Sequence, residues 1–234
     1  MKEAIYILII LLFIGCSNNE KEVILETYPN GNTKSLRIYP DDKNKNNYKL
    51  KEYYANGHLE FESKVRNSKF IEYKKAYFEN GNPKEIVILT DSAEFDFCCP
   101  DGFYTYYYEN GIIKETHYKK NGLFEGLVSV FDSLGIKESE HQTFNDLKNG
   151  ITKTYYNNGI VESIKEYKND TLVGTVFYFS ETGDSLKRYG IYKGKLDFPI
   201  KYWKKNGYSL FGNFYKGETD RVQWIWKDSL NKII

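Results

Sequence analysis

The chain has 234 residues, of which 17% are aromatic, so it carries enough apolar surface to bury a core and is not predicted to be disordered. Its 33 Lys and Arg residues almost balance its 32 Asp and Glu residues, which leaves a net charge of +1. Because acidic and basic residues are interleaved, no basic stripe is present that would neutralise phosphates, and nucleic acid is excluded as the predicted partner.

An apolar segment from Ala4 to Ile14 lies near the start and is too short to cross a bilayer as a helix, so it predicts an export signal. It leads into residues 13–16, Phe-Ile-Gly-Cys, which resemble the bacterial lipobox and predict lipidation of Cys16. The alternative is an ordinary secretory signal in which Cys16 lies by chance. Ser17 follows in place of the Asp of inner-membrane sorting signals, which favours the outer membrane or cell surface of a diderm bacterium.

The rest of the chain repeats one short phrase, seen as YYYENGIIKE at residues 106–115. Its turn glycine occupies positions 31, 57, 81, 111, 135, 159, 183 and 207, and a second glycine series occupies positions 102, 126, 150 and 174. Two series with one period predict two turns and two strands of about six residues per unit. The predicted organisation is a signal peptide at 1–15, a polar tether at 16–22 and a repeat domain at 23–234.

The turn chemistry predicts hairpins. Asn-Gly occurs eight times, whereas random mixing would give about two, and this pair favours two-residue type I′ turns because both residues tolerate positive φ. In DSLG, SETG and KKNG the aromatic residue stands one position earlier, which predicts an extra loop residue or a bulge. The flanking segments are rich in aromatic and β-branched residues, and no helix is predicted beyond the signal.

One aromatic residue precedes each turn, and residues one repeat apart lie on the same face of such a sheet. This predicts a ladder that forms the core, made of Tyr28, Tyr54, Phe78, Tyr108, Phe131, Tyr156, Phe179 and Trp203. The alternative is a platform for stacking a ligand, for which Tyr54, Tyr108, Tyr156 and Trp203 are the candidate binding residues. The Lys-Glu pairs at 84–85, 114–115 and 137–138 predict a solvated face with cross-strand charge pairs.

The residues with the greatest potential for chemistry form no recognisable site. His117 and His141 share one repeat position about 10 Å apart, which is too far for one metal ion, and His58 is remote, so all three are predicted to be surface or rung residues. Cys98 and Cys99 are predicted to be small residues at a turn, with a vicinal or intermolecular disulfide as the alternative. No cofactor and no metal are predicted.

The phrase Tyr-x-Asn-Gly-x-x-Lys-Glu, followed by a second Asn-Gly, resembles the MORN-variant repeat, and TYYYENGIIKETHYKKNGLFEGLVSVF at 105–131 is its best copy. The resemblance implies an all-β, elongated antiparallel meander or ribbon of about eight hairpins, without family catalytic residues. It also implies functions seen in relatives: some bacterial relatives are described as antitoxin-like partners of toxins, and longer eukaryotic relatives are linked to membranes and scaffolding.

The expected function is therefore a lipoprotein of the cell envelope whose repeat ribbon binds or scaffolds a protein partner, with an immunity or antitoxin role as one form of it. The alternative is a structural envelope component that self-associates through the ribbon ends, because edge strands present unpaired backbone groups. Enzyme activity is not predicted, since an open ribbon offers no pocket that would seclude a substrate.

Overall fold

The computed structural model describes residues 20–41, 43–91, 93–94, 99–192, 195–196, 200–203, 209–212 and 224–227. The predicted signal peptide, Cys16 and Cys98 lie outside them. All regular elements of the described residues are β-strands, as predicted, and none is a helix that would be long and apolar enough for a membrane span.

The strands are longer than the predicted six residues in most of the repeats. They are β1 (Lys21–Thr27), β2 (Thr33–Tyr39), β3 (Asn47–Tyr53), β4 (Leu59–Arg66), β5 (Lys69–Tyr77), β6 (Pro83–Leu89), β7 (Ala93–Glu94), β8 (Gly102–Tyr107), β9 (Ile113–Lys120), β10 (Leu123–Phe124), β11 (Gly126–Phe131), β12 (Lys137–Phe144), β13 (Leu147–Tyr155), β14 (Val161–Lys168), β15 (Thr171–Phe179), β16 (Ser185–Tyr192), β17 (Lys195–Leu196), β18 (Ile200–Trp203), β19 (Ser209–Gly212) and β20 (Trp224–Lys227).

The strands form one open antiparallel meander, which confirms the predicted fold class. Each strand pairs with its successor, except that the short β7, β10 and β17 pair beside β5, β9 and β16. Consequently β6 pairs with β8, β9 with β11, and β16 with β18. Each repeat contributes two strands, and its neighbours in sequence are also its neighbours in space.

The turns at the Asn-Gly phrase differ from the predicted type I′ turns. The Gly111 N–H donates to the Tyr108 carbonyl (2.9 Å), and the Tyr108 N–H donates to the Ile112 carbonyl (2.8 Å). Only Gly111 has positive φ, at 84°, so the loop has three residues and is a type I turn closed by a left-handed glycine. Asn110 instead uses its side chain, which donates to the Ser133 carbonyl of the next hairpin (2.8 Å).

Two-residue turns occur at the opposite edge of the sheet, at four places in the described residues. Both residues have positive φ at Asn67-Ser68, Asn145-Asp146 and Asn169-Asp170, and at Asn121-Gly122. The second glycine series therefore does not form the turns. Its members Gly126, Gly150 and Gly174 lie four residues later, inside strands, with φ of 85°, 123° and 67°.

One repeat lacks the glycine at this strand position. Glu72 stands four residues after Ser68, has φ of 63°, and lies at a register shift between β4 and β5. A left-handed conformation costs a residue with a Cβ about 1 kcal/mol relative to glycine. The Glu72 carboxylate also contacts the Lys64 ammonium (2.6 Å) at the surface.

Glu72→Gly is therefore expected to be more stable than Glu72→Ala by about 1 kcal/mol in urea unfolding. Both variants lose the ion pair with Lys64, so their difference isolates the backbone term. Equal unfolding midpoints for the two variants would contradict a strained backbone at this position.

The core does not lie in the aromatic ladder predicted from the sequence. The register instead aligns a different row of side chains, here called the central row: Arg37, Leu50, Ser63, Lys74, Val87, Tyr104, His117, Val128, His141, Thr152, Lys165, Val176 and Tyr189. Four of its members lie seven residues before a turn glycine and are 0–7% exposed: Tyr104, Val128, Thr152 and Val176. The side of the sheet that carries this row is called the aromatic face.

The ladder tyrosines serve as links between turns. Half-buried Tyr28, Tyr54, Tyr108 and Tyr156 each donate a hydroxyl hydrogen bond of 2.7–2.9 Å to the carbonyl at the end of a following strand, at Tyr53, Tyr77, Phe131 and Phe179. Relative to the turn glycine, Phe131 and Phe179 thus lie one position earlier than the tyrosines do. The loops that follow them contain no extra residue, because Asp132 and Ser180 occupy the tyrosine position with the same turn hydrogen bonds. The predicted alternative, a bulge, is present before both turns as a register shift, and the turns at the tyrosines share it.

Candidate binding face

Cationic side chains on the aromatic face lie over aromatic rings. The Arg37 guanidinium is 4.5 Å from the centre of the Tyr48 ring. The ammonium groups of three lysines also lie over rings: Lys74 at 5.3 Å from Phe70, Lys119 at 5.1 Å from Tyr104, and Lys165 at 5.4 Å from Tyr178. Within the described part of the chain, none of these four cations lies within 4 Å of a carboxylate. Their charge therefore remains available to a ligand.

The opposite face carries the ion pairs. Lys75 contacts Glu62 across two strands (3.2 Å), and Glu140 contacts both Lys137 and Lys153 (2.9 Å each). The predicted charge-paired face therefore exists, but two of the predicted glutamates are not on it. Glu85 and Glu115 pair across strands with Tyr106 on the aromatic face.

The ion pairs of Glu140 make the stability of the fold depend on pH. Hydrogen bonds from Lys137 and Lys153 lower the pKa of Glu140 from 4.5 to about 2. Because the folded pKa lies below the unfolded one, the carboxylate stabilises the fold above about pH 4.5, and this stabilisation is lost as the pH falls towards 2.

Glu140→Gln is expected to destabilise the protein by about 1 kcal/mol at pH 7, after allowance for solvent screening. The difference from wild type should shrink as urea unfolding is repeated at pH 4, 3 and 2. Glu138→Gln is the matched control, since Glu138 is exposed. A difference that stays constant with pH would show that Glu140 does not act through its charge.

A groove of about 520 Å³ opens on the aromatic face between β1 and β5, and is here called the N-terminal groove. Its lining includes Arg37, Tyr48, Glu52, Phe61, Phe70 and Lys74. The Arg37 Nε atom is buried and has no hydrogen-bond partner among the described residues. Burial raises the pKa of Glu52, and the nearby Glu60 raises it further. The groove thus combines aromatic rings, two cations and one carboxyl group.

His117 lies farther along the central row and is buried, so of the two predicted alternatives it is a rung residue and not a surface residue. Its ring stacks on Tyr104 with centroids 5.0 Å apart and contacts Phe124 at 4.3 Å. His117 Nδ1 lies 2.8 Å from Glu115 Oε1, and this hydrogen bond lowers the pKa of Glu115. His117 Nε2 has no partner among the described residues.

The other histidines have different environments. His141 is half-buried in the central row, and burial lowers its pKa. His58 is exposed at a turn, where its Nδ1 lies 2.6 Å from the Glu79 carbonyl oxygen. In the residues that the structure describes, no group of three His, Cys, Asp or Glu side chains is arranged to hold a metal ion.

A second groove of about 320 Å³ lies beside His117. It is lined by Phe78, Tyr106, Phe124 and the lysines 84, 114 and 119. Burial and the nearby Glu85 raise the pKa of Tyr106, so its hydroxyl stays protonated and donates a hydrogen bond. Half-buried Cys99 accepts a contact from the Lys119 ammonium (Nζ to Sγ 3.6 Å) and is a free thiol.

The candidate binding residues from the sequence lie near this face but are not gathered into one pocket. Tyr54, Tyr108 and Tyr156 lie at every second turn of the phrase, where their hydroxyls donate hydrogen bonds to backbone carbonyls. Trp203 ends β18, and its side chain lies outside the described part of the chain. A role of these four rings in binding remains a prediction.

Sequence reasoning missed Arg37 and Lys74, although a signal for Lys74 was present. Lys74 lies seven residues before Gly81, at the position that Tyr104, Val128, Thr152 and Val176 occupy in later repeats. That shared position places Lys74 on the face of the buried residues. A lysine at a position that is buried in the later repeats indicates a surface that is open to solvent or to a partner.

Comparison with known protein families gives one match. The sequence model of a family described as MORN repeat variant matches residues 49–67, 100–120 and 148–169. These segments cover β3–β4, β8–β9 and β13–β14, so each match spans two neighbouring strands of the meander. No curated protein matches the chain.

Proposed function

We propose that this MORN-variant repeat protein is a lipid-anchored protein of the cell envelope and that its aromatic face binds a protein partner. Repeats of this kind indicate a protein-binding or scaffolding module. The observation that carries this proposal is the open aromatic face, where Arg37, Lys74, Lys119 and Lys165 lie over rings without a carboxylate within 4 Å in the described residues. Aromatic rings and arginine are enriched in protein-binding surfaces.

The partner proposal is tested by site-specific photocrosslinking in cells. A benzophenone amino acid is placed at Thr154 on the aromatic face, or at Lys153 on the opposite face as the matched position. A single adduct formed from Thr154 and absent from Lys153 would support binding through the aromatic face. Equal labelling from both positions, or none from either, would overturn it.

The anchor proposal rests on residues 13–16 and on the polar segment that follows them. Cys16→Ala is expected to move the protein from the membrane fraction to the soluble fraction of the envelope and to abolish incorporation of labelled fatty acid. Unchanged lipid labelling in Cys16→Ala would remove the lipoprotein assignment without affecting the fold.

The partner proposed is a toxin, with the repeat protein as its immunity partner, in line with the antitoxin-like relatives that the resemblance implies. A toxin gene adjacent to the gene of this protein supplies the test. Cells that express that toxin should survive when the full chain is co-produced and die when it is not.

A second candidate function is self-association as a structural envelope component. The edge strand β1 favours it, because Ile24 and Leu25 are 58% and 44% exposed and β1 pairs only with β2 among the described strands. Sedimentation over a hundredfold range of concentration tests this candidate. A constant monomer mass would exclude it.

A further inference from the structure

The N-terminal groove places two cations at a defined separation. Arg37 and Lys74 are connected along the central row by Leu50 and Ser63, so they lie three strand spacings apart. Adjacent strands are about 4.8 Å apart, which gives a separation of about 14 Å between the two positions. Both side chains line the same groove.

The rings beneath the two cations hold them in place but do not neutralise them. Tyr48 lies under Arg37 and Phe70 under Lys74. Such a contact is worth about 0.5–1 kcal/mol at an exposed site, less than a well-made contact with a carboxylate. The buried Arg37 Nε atom has no partner among the described residues, so an acceptor that reached it would remove the cost of an unsatisfied donor.

One acidic residue lines the groove against its two cations, so the charge of the lining remains net positive. Glu52 is the acidic residue among the side chains that line it, and its carboxyl group is half-buried beside Phe61. Glu62, on the next strand, points to the other face and contacts Lys75. Charge complementarity therefore favours an anionic occupant, and the rings Phe61 and Phe70 favour one with apolar side chains between its charges.

We propose that the N-terminal groove binds an extended acidic segment of the protein partner, with one carboxylate on Arg37, a second on Lys74 and an apolar side chain between them. An extended chain rises about 3.3 Å per residue, so about four residues span the 14 Å. Residues four apart also point to the same side of an extended chain. The proposal rests on the proposed protein-binding function and names the chemistry of its partner.

The test uses fluorescein-labelled heptapeptides and the purified chain. The first peptide is Ser-Glu-Ser-Val-Ser-Glu-Ser, which carries two carboxylates four residues apart around a valine. The second replaces both Glu by Gln, and the third places the two Glu next to each other. Vesicles of phosphatidylglycerol test whether a lipid surface is the true anionic ligand.

The variants are chosen in matched pairs. Lys74→Gln and Lys75→Gln carry the same substitution at adjacent residues that point to opposite faces, and Arg37→Gln tests the other cation. We expect the first peptide to bind at least tenfold more tightly than the second, and more tightly than the third. Lys74→Gln and Arg37→Gln should each weaken its binding about fivefold to tenfold, whereas Lys75→Gln should leave it unchanged. Circular dichroism confirms that each variant is folded.

The remaining outcomes overturn the inference. Equal binding of the Glu and Gln peptides would refute charge recognition, and equal losses in Lys74→Gln and Lys75→Gln would place the effect outside the groove. Binding to vesicles without binding to the first peptide would identify a lipid headgroup as the ligand instead. If no peptide binds while crosslinking from Thr154 still yields one adduct, the acidic-segment inference fails and the proposed function stands.

Discussion

Val176→Asp is expected to destabilise the protein by about 4 kcal/mol, because Val176 is fully buried and the new carboxylate would lose its water, a cost that the neighbouring Lys165 offsets only in part. Val176 pairs with Tyr189 on β16 and belongs to the central row. Urea unfolding followed by tyrosine and tryptophan fluorescence measures the loss. In a repeat protein each unit is stabilised mainly by its neighbours, so amide exchange should show the loss of protection centred on β14, β15 and β16.

Thr175→Asp is the matched control for this prediction. Thr175 is the preceding residue, is exposed and points to the other face of β15. The same substitution there should change the free energy of unfolding by no more than about 0.5 kcal/mol. Similar losses in the two variants would show that the central row is not the core.

Gly102→Ala is expected to cost about 3 kcal/mol. Gly102 is buried where β8 pairs with β6 and β9, and a Cβ at this position would lie 2.5 Å from the Ile88 carbonyl oxygen and 3.2 Å from the Leu89 Cα. Both neighbours are backbone atoms, so a side-chain rotation does not relieve the contact, and the strands β6 and β8 must separate.

Gly111→Ala provides the comparison, because glycine is needed at position 111 for its backbone conformation and at position 102 for lack of space. Gly111 has φ of 84° and meets only the Asn82 side chain at 3.5–3.7 Å. Its cost should be about 1 kcal/mol, from the left-handed backbone alone. The ratio of the two losses is measured in one urea series, and a larger loss for Gly111→Ala would contradict the proposed backbone contact at Gly102.

The choice of core row shows where inference from the sequence failed. A register shift occurs just before each described three-residue turn, for example between Tyr106 and Tyr107 and between Tyr178 and Phe179. A shift of one residue transfers the following side chains to the other face of a strand. Counting from the aromatic residue before the turn therefore assigned the core to the wrong row.

The burial of His117 follows from the same geometry. His117 lies six residues after Gly111, and Tyr104 lies seven residues before Gly111. The two residues pair across β8 and β9. Tyr and His occur both in cores and on surfaces, so the alternation of apolar and polar residues does not mark these two as a buried pair. Only the register brings the His117 ring between Tyr104 and Phe124.

The sequence by itself determined the all-β class, the 24-residue unit and the number of turns, because these depend on local properties: the φ preferences of Asn and Gly and the strand preferences of the residues between them. The tertiary structure alone decided the turn types, the buried row and the grooves around Arg37, Lys74 and His117. These depend on the register that each bulge sets between neighbouring strands. The register decides which face of the sheet a side chain lies on, and the sequence of a single repeat does not encode it.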